Sequence, residues 1–377
     1  MNKNWVVKPQ GDPVIVSELS KVLSIDPALA NLLAQRGITS FDEAKNFFRP
    51  TLNDLHDPFL MKDMDKAIER ISGAVGNRER ILVYGDYDVD GTSAVALVYT
   101  FLSSFHREID FYIPDRYDEG YGISFKGIDF AQETGVKLII ALDCGIKSVE
   151  KVAYASLKGI DFIICDHHRP GAEIPAAAAI LDPKRNDCPY PYKELSGCGI
   201  GFKLIQAYAQ YKQIPFEELI RYLDLVAIAI ASDIVDITGE NRILAYFGLK
   251  LINSTPRPGL EALLHYSAMT RSEDAEKKNV FNRELTITDL VFMIGPRINA
   301  AGRIENGKNS VKLLITQNLE DARKVAEQIN AYNTERKTLD TQATQQALGM
   351  IEEDPRLRNA LSTVIFNPGW HKGVIGI

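Results

Sequence analysis

An acid and two imidazoles stand in a row at Asp166-His167-His168, directly after the apolar run Ile160-Asp161-Phe162-Ile163-Ile164. A short apolar run that ends in a polar break reads as a buried parallel strand. Open α/β sheets bind ligands at the carboxyl ends of such strands. The same order occurs twice more. Asp86-Tyr87-Asp88-Val89-Asp90-Gly91 follows the run at 80–85, and Asp143-Cys144-Gly145 follows the run at 137–142. A further acid, Asp233, follows the apolar stretch at 225–231. Carboxylates brought together repel one another unless cations lie between them. Asp88, Asp90, Asp143, His167 and Asp233 suffice for two divalent ions, with Asp143 central enough to bridge them. Oxygen donors with one imidazole suit Mn²⁺ or Mg²⁺ better than a thiolate-seeking metal. The alternative for 86–91 is an EF-hand loop, which needs an acid at its twelfth position. That position is Leu97, so the alternative fails.

Neighbouring side chains rarely serve one ion, so His168 is assigned to a substrate phosphate or to acid–base help at the leaving oxygen. A histidine that only packs beside the ligands is the rival reading. Gly295 to Arg303 places Arg297, Asn299 and Arg303 in what reads as a glycine-bounded loop. Guanidinium forks match phosphate oxygens, although a solvated surface turn fits the same residues. Arg116 follows another strand end and would meet a phosphate. Tyr117 or Tyr121 would stack on a base, unless they are ordinary packing or surface tyrosines. No G-x-S-x-G elbow, P-loop or G-x-G-x-x-G is present, which disfavours serine hydrolysis and nucleotide-driven motors. Metal-assisted hydrolysis of a phosphoester remains.

The elements that must position these residues follow from the pattern. Residues 1–75 read as a helical lead-in, with an amphipathic helix at 17–36 and a short helix at 41–48 behind the Ser40 cap. From 78 to 235 strands alternate with helices: strands at 81–84, 109–113, 137–142 and 160–165, a fifth within 176–181, and helices at 92–105, 125–134, 147–157, 199–211 and 216–231. This alternation predicts an α/β fold, a mainly parallel sheet with helices on both faces. Residues 240–320 read as helices and loops. Residues 319–353 form one long connecting helix of roughly 50 Å. Residues 361–366 then read as a strand. The expected organisation is a helical region at 1–75, a catalytic domain at 76–318, a connecting helix at 319–354 and the start of a further domain at 355–377. A chain that stops soon after a new domain begins is expected to be a piece of a longer protein.

The 377 residues carry a formal net charge of −7. That does not advertise nucleic-acid binding, but bound cations would offset part of an acidic cluster, and net charge does not describe a local surface. Four cysteines (Cys144, Cys165, Cys188 and Cys198) show no C-x-x-C pairing. They suit a reducing, cytoplasmic setting. No apolar stretch approaches the ~20 residues of a membrane span, so no membrane partner is expected.

Six motifs in order carry a resemblance across nearly the whole chain: G-D-Y-D-V-D-G at 85–91, A-L-D-C-G-I at 141–146, C-D-H-H-R-P at 165–170, S-D-I-V-D with G-E-N-R at 232–242, G-P-R-I-N-A-A-G-R at 295–303, and G-W-H-K-G-V-I-G-I at 369–377. Together they resemble the DHH phosphoesterase superfamily and, within it, the RecJ-type exonucleases. The resemblance implies metal-dependent hydrolysis of single-stranded DNA from the 5′ end, releasing 5′-mononucleotides in DNA repair and recombination. It implies Asp88, Asp90, Asp143, His167 and Asp233 as ligands of Mn²⁺ or Mg²⁺, and Asp143, Asp166 and His168 at the chemistry. Arg116, Arg297, Asn299, Arg303 and His371 are the implied substrate contacts. The implied partners are single-stranded DNA, a single-strand-binding protein and a RecQ-type helicase. The segment at 355–377 is then the start of a DHH-associated domain. Many small DHH enzymes have a histidine where this chain has Tyr84, which implies a weaker second metal. Two alternatives stay open: a DHH phosphodiesterase of short oligonucleotides or cyclic dinucleotides, and a replication scaffold without catalysis.

Overall fold

The computed structural model describes residues 4–272 and 280–376. The last residue of the 369–377 motif and residues 273–279 of the 240–320 region lie outside the described residues. The chain divides into two compact units, Met1–Leu55 and His56–Ile377.

In the first unit the stretch expected as one helix is two. Helix α1 (Pro13–Leu23) ends at Ser24, whose φ of 53° is left-handed, and α2 (Pro27–Ala34) starts behind the Asp26 cap. Both begin with proline, whose fixed φ suits a first helical position and interrupts a continuous helix. Helix α3 (Phe41–Phe48) starts at a complete capping box between Ser40 and Glu43, as its sequence predicts. Leu19, Ala30, Leu33, Ile38 and Ala44 form the small core of this unit.

The second unit begins with α4 (Met64–Gly76). Then follow β1 (Arg80–Gly85), α5 (Val89–Ser103), β2 (Ile109–Tyr112), α6 (Phe125–Glu133), β3 (Val136–Leu142), α7 (Val149–Leu157), β4 (Asp161–Cys165) and β5 (Ala179–Leu181). All four strand pairings are parallel, in the order β2-β1-β3-β4-β5. Helices α6 and α7 cover one face, and α4, α5 and α8 (Gly197–Tyr211) cover the other. With both faces covered, the strands are near-continuous apolar runs, and each buried Ile, Leu or Val contributes roughly 1.5–3 kcal/mol.

Behind the sheet lie α9 (Leu223–Ser232), α10 (Gly239–Ser254), α11 (Pro258–His265), α12 (Ile287–Asp289), a π-helical stretch at Leu290–Ile294, α13 (Gly295–Ile304) and α14 (Lys308–Ile315). Residues 295–303 are therefore helix, not the expected loop. Helix α15 spans Leu319–Glu353, 35 residues, as the sequence predicts. Its buried residues Ala322, Ala326, Ile329 and Asn333 repeat at helical spacing in its first half only, where it packs on α11, α13 and α14. The strand expected at 361–366 is absent. That segment is irregular, with Leu361 and Val364 fully exposed, and no strand among the described residues pairs with it.

Candidate metal centre

Register builds the site. Gly85 pairs with Leu142, Leu142 with Cys165, and Cys165 with Leu181, so four strands end side by side. The next residue after each is an aspartate: Asp86, Asp143, Asp166 and Asp182. All four are buried, between 0% and 2% exposed. In a 2-1-3-4-5 sheet the connections reverse between β1 and β3, which is where such folds bind ligands. Here that crevice carries the acids of the 85–91 motif on one side and Asp143 on the other.

Three further devices shape the crevice. Asp88 caps α5, accepting from Gly91 N at 3.0 Å. Asp90 sits in the first turn of α5, and its two oxygens accept from Gly197 N at 2.6 Å and Cys198 N at 2.8 Å, the opening amides of α8. A helix N-terminus favours a carboxylate. Asp143 holds a left-handed backbone, φ 58°, with its amide bonded to Cys165 O at 2.8 Å. A Cβ on Gly197 would lie 2.6 Å from Asp143 Cβ, so only glycine lets α8 approach so closely.

Against these acids stands His167. Its Nε2 lies 3.1 Å from Asp143 Oδ1, 3.6 Å from Asp233 Oδ2 and 3.8 Å from Asp90 Oδ2. Asp143, His167 and His168 form one set whose donor atoms lie within 4.8 Å of each other, and Asp90, His167 and Asp233 form another. Asp143 Oδ1, Asp233 Oδ2 and Asp86 Oδ2 are buried without a hydrogen-bond partner. Burial and then the neighbouring carboxylates push Asp90 and Asp143 well above the usual carboxylate range. Burial and then Asp88 raise Asp86 to about 8. Buried oxygens without partners cost free energy, and a divalent cation reverses that balance. The donor set is hard oxygen with one imidazole, which fits Mn²⁺ or Mg²⁺.

His168 is arranged differently. Its Nδ1 lies 2.7 Å from Asp166 Oδ1 and its Nε2 lies 3.3 Å from the Tyr121 hydroxyl. Asp166 also accepts from His167 N, His168 N and Ile146 N. Burial alone would raise Asp166, but the His168 hydrogen bond and charge outweigh it and hold the carboxyl below its ordinary value. Both of its oxygens are thus occupied within the protein, so Asp166 orients His168 and does not reach into the crevice.

The expected substrate contacts divide. Arg116 lies 5.0 Å above the Tyr87 ring. Tyr117 donates to Arg303 O, and its ring is 5.8 Å from that of His371. Arg303 Nη1 donates to Gly373 O at 3.0 Å. Arg116, Arg303 and His371 thus share one patch. Asn299 Oδ1 accepts from Val89 N at 3.1 Å, so it steadies the start of α5. Arg297 is a correction. It is 9% exposed, and its guanidinium donates to Met293 O, Tyr266 O and Asn330 Oδ1. As part of a helix it faces the α15 side and ties elements together instead of offering its fork to a phosphate. Tyr84 is buried, donating to Gly122 O and accepting from Ser124 N. It supports the 122–124 turn.

The sequence reading passed over Asp86 and Asp182. Asp86 was legible as the first residue after its strand. Asp182 was legible in the same way, as the residue that follows the fifth strand expected within 176–181. Burial raises Asp182 to about 7, and its Oδ2 has no partner.

Comparison with known proteins agrees with this geometry. Residues 80–230 match the DHH family, N-terminal domain. The chain is 37% identical to the single-stranded-DNA-specific exonuclease RecJ of Bacillus subtilis over 99% of its own length and 45% of that protein. It is 35% identical to the RecJ of Escherichia coli over 94% of its own length and 61% of that protein. Among solved structures, RecJ in complex with Mn²⁺ from Thermus thermophilus superimposes with a TM-score of 0.80 at 25% identity, covering 98% of this chain and 50% of that one. An exonuclease RecJ bound to manganese gives 0.73 at 27% identity over 86% and 77% of the two chains. The chain thus spans about half the length of the Bacillus and Thermus relatives.

Proposed function

We propose that the chain, which resembles the RecJ exonucleases and whose residues 80–230 match the DHH family, N-terminal domain, is a metal-dependent hydrolase of phosphodiester bonds in single-stranded DNA. It attacks from the 5′ end and releases 5′-mononucleotides, in repair and recombination. The observation that carries this reading is the His167 imidazole facing the buried carboxylates of Asp90 and Asp143 and the part-buried one of Asp233, with an oxygen of Asp143 and one of Asp233 left without a partner.

Asp88, Asp90, Asp143, His167 and Asp233 would hold Mn²⁺ or Mg²⁺. Bound divalent cations polarise a phosphoryl oxygen and supply a nucleophile at neutral pH. The side chains do the rest. Asp166 keeps a proton on His168 Nδ1 and fixes the ring, so that Nε2 faces the crevice beside the Tyr121 hydroxyl. The Asp166 hydrogen bond also raises His168 above its ordinary value, and as the imidazolium, with both ring nitrogens protonated, His168 donates from Nε2 to a phosphate oxygen or to the leaving oxygen. Arg116 and Arg303 contact the strand's phosphates, and His371 joins that patch. Asn299 acts indirectly, through the start of α5. Residues 76–318 form the catalytic domain in this reading, and 319–354 connect it to the segment that starts at 355. A single-strand-binding protein and a RecQ-type helicase are its proposed partners, and the cytoplasm its location. Among the described residues no helix is long and apolar enough to cross a membrane.

The test is degradation of 5′-labelled and 3′-labelled single strands with Mn²⁺, Mg²⁺ or excess chelator. The 5′ label is expected to appear first as a mononucleotide, and only with metal. Release from the 3′ end first, or full activity in chelator, would overturn the reading.

A further inference from the structure

The carboxyl edge of the sheet runs from β2, through the metal centre at β1, β3 and β4, to β5. Arg116 follows β2 and stands at one end. At the other end, a polar groove of about 900 Å³ opens beside Arg169 and is lined by Pro183, Lys184, Lys193 and Glu194 among others. Arg169 is the residue after His168, and Lys184 is the second residue after Asp182. The groove therefore begins where the candidate metal centre stops.

We propose that this groove binds the sugar–phosphate backbone of a single nucleic-acid strand, on the far side of the scissile phosphate from Arg116. The inference rests on the proposed function and adds a second substrate-binding region to it.

The charges support a polyanion. Arg169 is exposed and makes no ion pair among the described residues. Lys193 Nζ bonds only a carbonyl, that of Cys188 at 2.7 Å, and keeps donors to spare. Lys184 Nζ is 3.1 Å from Glu194, whose side chain is 46% exposed, a contact that water and salt screen. Such a cluster stands out in a chain of net charge −7. The floor is rigid, because Arg185 donates to Ile180 O at 2.7 Å and pairs with Asp63 and Asp187. Phosphate contacts supply most single-strand affinity and fix the register of the strand on the protein.

The experiment measures binding of fluorescent single strands, short and long, by anisotropy in chelator across a salt series. It compares the parent chain with Lys184→Ala and with the Arg169→Ala/Lys193→Ala double variant. Calorimetric Mn²⁺ titration of each variant checks that the centre is intact. The groove reading expects both variants to bind long strands several-fold more weakly, with little change for the shortest strands. The slope of log affinity against log salt should become shallower by ~0.7 for each phosphate that is no longer neutralised. If the parent binds long strands and the variants match it in affinity and slope, the groove proposal is overturned while the proposed function stands. If the parent binds no single strand at any salt, both are overturned.

Discussion

Two buried polar clusters in the second unit solve the same problem in opposite ways. Lys203 and Glu240, 0% and 1% exposed, form an ion pair of 2.6 Å. Lys203 spends its other donors on His56 O and Gln206 Oε1. Glu240 also accepts from Tyr190 OH and His56 N. Every donor of the ammonium is used. At the sheet edge, by contrast, Asp86, Asp143, Asp182 and Asp233 each keep a buried oxygen with no partner, and no Lys or Arg pairs with Asp90, Asp143 or Asp233 among the described residues. Unequal satisfaction of buried polar atoms separates a cluster that the fold uses for itself from one kept for a ligand.

The sharpest way to break that contrast is to remove one charge from each cluster. Asp143→Asn keeps the shape and tolerates the left-handed backbone. It is expected to lose at least ~10³-fold in single-strand cleavage, of the order seen when metal-centred stabilisation fails. Its urea midpoint in chelator should stay the same or rise, because a buried, unpaired carboxylate is gone. Glu240→Gln should do the reverse. Leaving Lys203 buried without its partner costs about 3–5 kcal/mol, read as a lower urea midpoint, while the fraction that stays folded should cleave at the parent rate. If Asp143→Asn unfolds the chain while Glu240→Gln leaves its stability untouched, the contrast is lost.

Smaller effects refine it. His168→Ala should slow turnover by about 10²–10⁴-fold, the range of general acid–base help, and leave calorimetric Mn²⁺ binding at the parent stoichiometry. Loss of one equivalent would make His168 a ligand, as its proximity to Asp143 and His167 allows. The smallest shift belongs to Asp182, raised to about 7 from 3.8 by burial. Between those values the folded chain binds a proton that the unfolded chain has lost. Stability from this group is therefore fully present below about 3.8 and lost as pH rises through about 7. Asp182→Asn should remove that decline and raise the stability of the chain at pH 8. An identical pH dependence of the urea midpoint in parent and variant would show that Asp182 is solvated or paired.

Much of this was legible in the sequence, for physical reasons that also explain the rest. Apolar runs ending in acids located β1, β3 and β4, and the absence of Pro from 319–353, with Pro355 just beyond, placed α15 at its observed ends. Asp143, His167 and Asp233 could be chosen because each follows an apolar element. The alignment of Asp86, Asp143, Asp166 and Asp182 could not, because it depends on strand register, which is set by packing between elements far apart in sequence. Arg297 was misread for a related reason. Two arginines in one motif look alike, and only the packing of α13 on α15 decides that one is buried against carbonyls while the other lies beside Tyr117. The glycines of 295–303 suggested a loop, yet Gly302 serves close packing, since a Cβ there would lie 2.7 Å from Tyr87 O.

The central claim is that the unpaired carboxylates at the sheet edge are held for divalent cations. Calorimetric titration of Mn²⁺ into the parent chain, Asp143→Asn and Glu240→Gln tests it most directly. The account predicts saturable binding to the parent and to folded Glu240→Gln, and binding that is lost or reduced to a single weak site in Asp143→Asn. No binding to the parent, or undiminished binding to Asp143→Asn, would contradict it.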